Sequence, residues 1–287
     1  MIFVPYPRIK NSKTISIFPE YAPALLPLVP DLKRAYRAYR FNKGSPSVIF
    51  PINAIQPGRI SLIQEKALTS LYEATYKKLK EDHRHLDWAY ELRKSDELPY
   101  CPMCGNTGRD ALDHYLAKAD YPEFAILSFN LVPTCTACNS KRSNSANVQG
   151  TLLPLIHPYF DGPRLNSPLI SVEIGADKET IPPTYIMPTF RLVPSIPETD
   201  PLFPRLENHL NKCVEETQLR RWVTGRWMLW RIKAPDYRLM SELIKEINRE
   251  LSAEVDVGGP NNWTAAFLRG LLATPLAMQW LMDNPTL

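Results

Sequence analysis

Residues 101–145 read CPMCGNTGRDALDHYLAKADYPEFAILSFNLVPTCTACNSKRSNS, and this stretch holds two C-x-x-C pairs separated by 30 residues. Each pair can form a tight turn that directs two thiolates at one ion, and two such turns complete a tetrahedral shell of four sulfurs. A shell of this kind selects zinc and leaves no open coordination position, so its role is structural. The sequence therefore predicts a zinc site with four ligands, Cys101, Cys104, Cys135 and Cys138. The alternative is two pairs of buried cysteines that bind no metal.

The composition is typical of a globular protein, since 44% of the 287 residues are hydrophobic and 22% are charged. No stretch approaches 18 consecutive apolar residues, which argues against a transmembrane helix. The first residues, MIFVPYPRIKNSK, lack the basic and then apolar order of a signal peptide. We therefore expect a cytoplasmic protein with no membrane partner, in which paired cysteines bind metal rather than form disulfides.

The formal net charge of +4 is unevenly distributed along the chain. Residues 1–100 carry a net charge of +6, residues 101–160 are neutral, and residues 161–287 carry −2. A basic first third is compatible with a polyanionic partner such as a nucleic acid. Ordinary surface lysines explain the same excess, so charge alone does not decide between the two.

The distribution of prolines suggests three regions. The chain has 28 prolines and only 11 glycines, and prolines lie on both sides of the cysteine stretch. We predict an N-terminal extended segment plus helical region at 1–95 and a small module around the cysteines at 96–163. A mostly helical region of unassigned role is predicted at 164–287.

Apolar residues recur at three- and four-residue steps over 60–94 and 206–253, which predicts helices there. A last helix is predicted over 263–282, with Asn261 or Asn262 as its N-cap. Two short runs, LISVEI and TYIMPTFRLVP, favour strands. His209 is expected at the solvent-exposed surface of its helix.

Three polar residues occupy informative positions relative to the cysteines. Asp113 and His114 lie between the two pairs, and Asn139 directly follows the last cysteine. Hydrolysis of a phosphodiester needs a base that takes a proton from water, which suits histidine near neutral pH. It also needs a divalent cation beside the phosphate, held by oxygen ligands such as a carboxylate and an amide. A zinc site that ties the two chain segments together could bring these groups into one centre.

The segments CPMCG, LDHY, NLVPTC and CTACNSKR, all within 101–142, resemble the HNH endonuclease family. This family is the zinc-ribboned branch of the ββα-metal nucleases, in which a β-hairpin is followed by a helix. The resemblance implies an α+β fold with mainly helical flanks around a small ββα-metal module stapled by a four-cysteine zinc site. It covers about 45 residues and leaves both flanks unassigned.

The resemblance also implies a role for each matching residue. His114 would be the general base, and Asp113 and Asn139 would hold a catalytic Mg²⁺ or Mn²⁺ ion. Asn139 stands where other members carry the last histidine of the motif. Asn130 matches the asparagine that fixes the loop and orients the base, and the four cysteines match the zinc ligands. Taken alone, His114 could equally be a buried structural histidine, and Asn139 a helix cap.

Several flanking residues are candidates for contact with the substrate or for packing. Lys118, Lys141 and Arg142 could contact the nucleic-acid backbone, because the latter two fall in the first turn of the helix expected after the zinc cysteines. Solvated surface charge is the alternative for each. The run HPYFD at 157–161 also follows the core in some HNH proteins. It either packs the module against its neighbour or brings His157 to the edge of the site.

The favoured hypothesis is a metal-dependent endonuclease acting on DNA, with RNA as the less favoured substrate. The resemblance suggests a setting in phage defence or a mobile element, sometimes with a partner ATPase. A single nicking site favours a homodimer, because double-strand cuts then need two subunits. The alternative hypothesis is a non-catalytic subunit, either a zinc-stapled nucleic-acid-binding module or a partner-docking protein.

Overall fold

The computed structural model describes residues 1, 4–5, 11–74, 87–94, 99–108, 111–142, 150, 152–177 and 184–284. Its N-terminal third contributes a series of helices. They are α1 (Asn11–Ser16), α2 (Phe18–Tyr21), α3 (Val29–Phe41), α4 (Ile52–Ile55), α5 (Leu62–Ala74) and α6 (Asp87–Lys94). Prolines lie in the connections from α2 to α5. They also lie in the first turn of α2 and α3 and directly precede α4.

The module around the cysteines is a β-hairpin followed by a helix. Strand β1 (Ala111–His114) pairs antiparallel with β2 (Leu131–Thr134), and α7 (Thr136–Arg142) follows directly. Asp113 lies opposite Val132 and His114 lies opposite Leu131. Because side chains alternate along a strand, Leu112 and His114 are buried while Asp113 is partly exposed. The order strand, strand, helix is the one that the HNH resemblance implies.

The C-terminal half is a long hairpin surrounded by helices. Strands β3 (Ile170–Asp177) and β4 (Thr184–Pro194) pair antiparallel, as the two β-favouring runs predicted. Helix α8 (Gly162–Leu165) precedes the hairpin, and five helices follow it: α9 (Phe203–Cys213), α10 (Glu216–Lys233), α11 (Met240–Gly258), α12 (Trp263–Leu272) and α13 (Pro275–Asp283). Gly270 of α12 lies so close to the Val172 carbonyl of β3 that a Cβ atom there would overlap it.

The helix predictions are confirmed in place, and one of them, at the C-terminal end, is wrong in its length. Predicted helix 60–94 contains α5 and α6, and residues 75–86 lie outside the described residues. Predicted helix 263–282 is two helices, since Pro275 begins α13 and its ring cannot continue α12. Asn262 does cap α12, where its side chain accepts a hydrogen bond of 2.8 Å from Ala265 N.

A continuous hydrophobic core runs through all three predicted regions. The Tyr72 hydroxyl of α5 donates to Leu112 O of β1 at 2.6 Å, and Trp263 Nε1 of α12 donates to Cys104 O at 2.7 Å. The module around the cysteines therefore packs against both the N-terminal helices and the C-terminal half. The predicted α+β class, with mainly helical flanks, is confirmed. Among the described helices, none has the length and apolar character needed to cross a membrane.

Candidate functional site

The four predicted zinc ligands lie together in the interior. Their sulfur atoms all lie within 4.8 Å of one another, and all four side chains are buried. Cys104 Sγ lies 3.7 Å from Cys135 Sγ. A tetrahedral zinc shell with Zn–S bonds near 2.3 Å requires sulfur–sulfur distances of roughly 3.8 Å. The cluster therefore has the donors and the spacing to hold a zinc ion.

Backbone amides donate to the cysteine sulfurs. Asn106 N donates to Cys104 Sγ at 3.4 Å, and Cys138 N donates to Cys135 Sγ at 3.4 Å, each within its own turn. Cys135 N donates to Cys101 Sγ at 3.3 Å and links the two turns. Such bonds stabilise thiolate charge. Without a metal, burial raises the pKa of the Cys104 thiol well above its usual range, so metal binding must supply the charge that stabilises the thiolate.

The C-terminal half closes over the cysteine cluster. His209 of α9 is fully buried, which corrects its expected surface position. Its Nδ1 accepts a hydrogen bond from Ile156 N at 3.1 Å, so its Nε2 carries the proton and donates to the Met103 carbonyl at 2.5 Å. Burial lowers the pKa of His209 to about 3, so the ring is neutral at pH 7. Cys213 stays outside the sulfur cluster and contributes its carbonyl, which Cys138 Sγ approaches at 2.9 Å.

His114, the candidate base, is buried and held in one orientation. Its Nε2 lies 2.9 Å from the Ala125 carbonyl, which can only accept a hydrogen bond. The ring is neutral because burial lowers the pKa of His114 to about 3. Nε2 therefore carries the single proton, and Nδ1 keeps its lone pair. The ring of Tyr72 covers one side, with ring centres 4.2 Å apart.

Asp113, a candidate metal ligand, has a buried arginine as its neighbour. Arg142 Nη2 lies 3.3 Å from Asp113 Oδ2 and donates to His114 O at 2.9 Å. The other carboxylate oxygen, Oδ1, accepts from His114 N at 2.7 Å. Burial raises the pKa of the Asp113 carboxyl, and the positive charge of Arg142 opposes that shift. Asp113 Oδ2, Arg142 Nε and Arg142 Nη1 are buried without a hydrogen-bond partner in the part of the chain that the structure describes.

The predicted nucleic-acid contacts differ in their placement, and Lys141 and Arg142 lie in the last turn of α7 rather than in the first turn where they were expected. The Arg142 side chain is only 2% exposed and is engaged with Asp113, so it lies inside the module rather than on a surface that faces solvent. Lys141 is exposed and its Nζ contacts the Val214 carbonyl. Lys118 is partly exposed, with Nζ 4.8 Å from the centre of the Tyr72 ring that covers His114. Of the three, Lys118 and Lys141 keep a position from which they could contact a backbone phosphate.

Asn139 and Asn130 occupy different surroundings. Asn139 is partly exposed and lies three residues before Arg142 on α7, so the two residues share one side of this helix. Asn130 is fully buried. Its Oδ1 accepts from Leu116 N at 2.7 Å, and its Nδ2 donates to Leu116 O at 3.0 Å and Phe124 O at 3.2 Å. The module thus places Asp113 and His114 side by side on β1 and Asn139 on the helix that follows β2, while Asn130 binds the loop between the two strands.

Comparison with known proteins gives one short similarity. No family model matches the chain. The chain is 40% identical over 62 residues to Protein ea31 of Escherichia phage lambda, which is 21% of this chain and 21% of that protein. The chain thus matches about a fifth of the length of this curated relative, which does not establish a shared activity. No solved structure matches the chain.

Proposed function

We propose that this protein is a metal-dependent HNH endonuclease that hydrolyses phosphodiester bonds of DNA. The observation that carries the proposal is the tautomer of the His114 ring, which lies on a β-hairpin followed by a helix. A neutral ring whose Nε2 is bonded to the Ala125 carbonyl presents an unprotonated Nδ1, which is the state that a general base requires. Asp113, the neighbour of His114 on β1, and Asn139 on α7 would supply oxygen ligands for the cation.

The residues divide the work as follows. His114 Nδ1 takes the proton from the attacking water, and the Ala125 carbonyl stabilises the charged ring that results. Asp113 and Asn139 would hold a Mg²⁺ or Mn²⁺ ion, which supplies positive charge next to the phosphate and the leaving 3′ oxygen when it is bound. The donor set fits because Asp113 Oδ2 lacks a hydrogen-bond partner among the described residues. Arg142 must then move away from this oxygen. Cleavage would leave 5′-phosphate and 3′-hydroxyl ends.

Incubating the protein with supercoiled plasmid and Mg²⁺ or Mn²⁺ tests this proposal. We expect nicked plasmid whose ends can be joined by a ligase without prior phosphorylation. Asn139→Ala should lose nicking while its zinc content stays unchanged. Asn248→Ala is the matched control, since Asn248 is an exposed asparagine on α11 whose side chain donates to Ile244 O of its own helix. Equal nicking by Asn139→Ala and Asn248→Ala would contradict the assigned ligand role.

A second candidate function is a zinc-stapled module that binds DNA without cutting it. One observation favours it: the guanidinium of Arg142 lies where a cation would have to bind Asp113. This alternative predicts DNA binding with no nicking under any divalent metal, and an unchanged affinity in His114→Ala. The likeness to a phage protein supports a phage or mobile-element setting for either function. Assembly as a homodimer or with a partner ATPase stays a prediction.

A further inference from the structure

A buried chain of hydrogen bonds connects helix α3 and the HPYFD segment to the candidate base. We propose that Tyr39 and His157 are positioning residues for His114, acting through Asn130 and the loop that follows β1. This inference gives the HPYFD segment a role, and it rests on the proposed function only for its consequence on the cleavage rate. Its structural part concerns the tautomer of His114 and stands by itself.

The direction of each hydrogen bond in the chain is fixed by its donors. His157 Nδ1 accepts from Tyr159 N at 3.3 Å, so the neutral ring carries its proton on Nε2. That ring is neutral because burial lowers the pKa of His157 well below its usual range. His157 Nε2 lies 3.3 Å from the Tyr39 hydroxyl and can donate to it, with the Phe129 carbonyl as a second acceptor. The Tyr39 hydrogen is then available for Asn130 Oδ1, 3.0 Å away, which is closer than the Phe129 carbonyl at 3.4 Å.

Asn130 connects the Tyr39 hydroxyl to the loop that follows β1. Its Oδ1 is shared between the Tyr39 hydroxyl and Leu116 N, and its amide nitrogen binds Leu116 O and Phe124 O. Leu116 is two residues after His114, and Phe124 directly precedes Ala125. Asn130 therefore fixes the distance between the strand that carries His114 and the turn that carries the Ala125 carbonyl.

Breaking this series of hydrogen bonds costs free energy because the residues that form it are buried. Tyr39, Asn130 and His157 are each at most 1% exposed, so water cannot replace a lost partner without a rearrangement. Removing the Tyr39 hydroxyl leaves His157 Nε2–H without this acceptor and removes one of the two donors to Asn130 Oδ1. Asn130 keeps its backbone bonds to the loop but loses one constraint on its side chain, so the Ala125 carbonyl is held less firmly against His114 and the ring can exchange its proton between the two nitrogens.

The HPYFD segment also fixes the backbone of His157. His157 N donates to Asp161 Oδ2 at 2.7 Å, and Arg205 of α9 binds the same carboxylate through two nitrogens at 2.6 and 3.2 Å. Arg205 also donates to the Leu155 carbonyl at 2.8 Å. The segment thus supports the site through backbone and side-chain bonds without approaching the substrate. It is a scaffold for His157 rather than a second catalytic element.

The experiment uses the full-length zinc-bound protein with ¹⁵N-labelled histidine. In the wild type, the NMR spectrum should assign the His114 proton to Nε2 alone. Tyr39→Phe should give a His114 signal that reflects both tautomers, and a nicking rate lower by about tenfold with an unchanged KM. As a single substitution, His157→Gln keeps an N–H donor near the position of Nε2 and should retain the wild-type His114 signal. The single substitution His157→Leu removes this donor and should give a signal that reflects both tautomers.

Tyr36→Phe is the matched control. Tyr36 lies one turn earlier on the same helix, is also buried, and its hydroxyl has no hydrogen-bond partner among the described residues. If Tyr39→Phe and Tyr36→Phe have the same His114 signal as the wild type, the inference is overturned. If the wild type cuts no nucleic acid, the proposed function fails, while the NMR comparison still decides the positioning role. Should Tyr39→Phe lose zinc, His157→Leu compared with His157→Gln provides the same decision.

Discussion

The four-cysteine cluster and the Asp113 carboxylate lie on the same small module, and both are largely shielded from solvent, but their partners differ. The cysteine sulfurs accept hydrogen bonds from backbone amides, and their mutual spacing suits a zinc ion. Asp113 lies beside the positive charge of Arg142, which is itself nearly inaccessible to solvent. One site is complete with its four protein ligands. At the other position, the negative charge of the Asp113 carboxylate is already compensated by Arg142.

This difference is the one that we expect between a structural metal site and the proposed catalytic site. A closed shell of four sulfurs leaves no position for water or substrate, so its metal stays in place and stabilises the fold. A catalytic cation must share its ligands with water and phosphate. A carboxylate paired with an arginine remains stable without the cation and can release the arginine when the cation and the phosphate arrive.

The largest expected effect comes from removing the structural metal. Chelating zinc, or the substitution Cys101→Ser, should lower the melting temperature strongly and unfold the module, because zinc binding contributes directly to folding free energy. Thermal melts followed by circular dichroism measure the melting temperature, and elemental analysis measures the zinc content. Cys213→Ser is the control, since Cys213 is buried beside the cluster but is not a ligand. A Cys101→Ser protein that melts like the Cys213→Ser protein would contradict the structural role.

The next effect concerns Arg142. Arg142→Gln should destabilise the zinc-bound protein without Mn²⁺ by about 3 kcal/mol, because it leaves the largely buried Asp113 carboxylate without a positive partner. The same substitution should tighten Mn²⁺ binding by about tenfold, since the competing cation is gone. Chemical denaturation and calorimetric titration with Mn²⁺ measure the two effects. Arg191→Gln, which removes an exposed ion pair on the β3–β4 hairpin, should change neither. Weaker Mn²⁺ binding by Arg142→Gln would show that the two cations do not compete.

A smaller effect is expected from pH. An unfolded histidine titrates near pH 6.5, whereas burial lowers the pKa of folded His209 to about 3. Between these values the unfolded chain binds more protons, so stability is full above pH 6.5 and declines as the pH falls. His209 should contribute a loss of about 2 kcal/mol between pH 7 and pH 5. His209→Gln should lose less stability over this range. Equal pH dependence of the two proteins would rule out a buried neutral His209.

The smallest effect is expected at the surface. Lys141→Ala should weaken DNA binding uniformly across sequences and reduce the slope of log affinity against log salt by about 1. Lys245→Ala, on the exposed side of α11, serves as the control. Fluorescence anisotropy at several salt concentrations makes the measurement. Identical slopes for the two variants would remove Lys141 from the DNA-binding surface.

The module around the cysteines could be predicted from the sequence because the residues that define it lie close together along the chain. The spacing of the cysteines, and the positions of Asp113, His114 and Asn139 relative to them, are short-range features. The strand–strand–helix order agrees with what the HNH resemblance implied. Asn262 was identifiable as a cap because a capping residue acts on the amide two or three positions later. Pro275 was an equally local signal for the break between α12 and α13.

The sequence could not predict the long-range partners. Arg142 follows Asn139 by three residues, and nothing in that spacing indicates a buried pair with Asp113. Tyr39 and His157 are 118 residues apart, yet meet beside Asn130. His209 has charged and polar neighbours in sequence, which favoured an exposed position, but α9 turns it toward the first zinc turn. Each of these placements depends on how the flanks pack around the module.

The central claim is that His114 acts as the base of a nuclease, and the most direct test compares plasmid nicking by the wild type and by His114→Ala. Both proteins should be brought to equal zinc content and assayed with saturating Mn²⁺. The account predicts that the wild type converts supercoiled plasmid to the nicked form and that His114→Ala is slower by about 10²-fold or more. Equal nicking rates for the two proteins would contradict it.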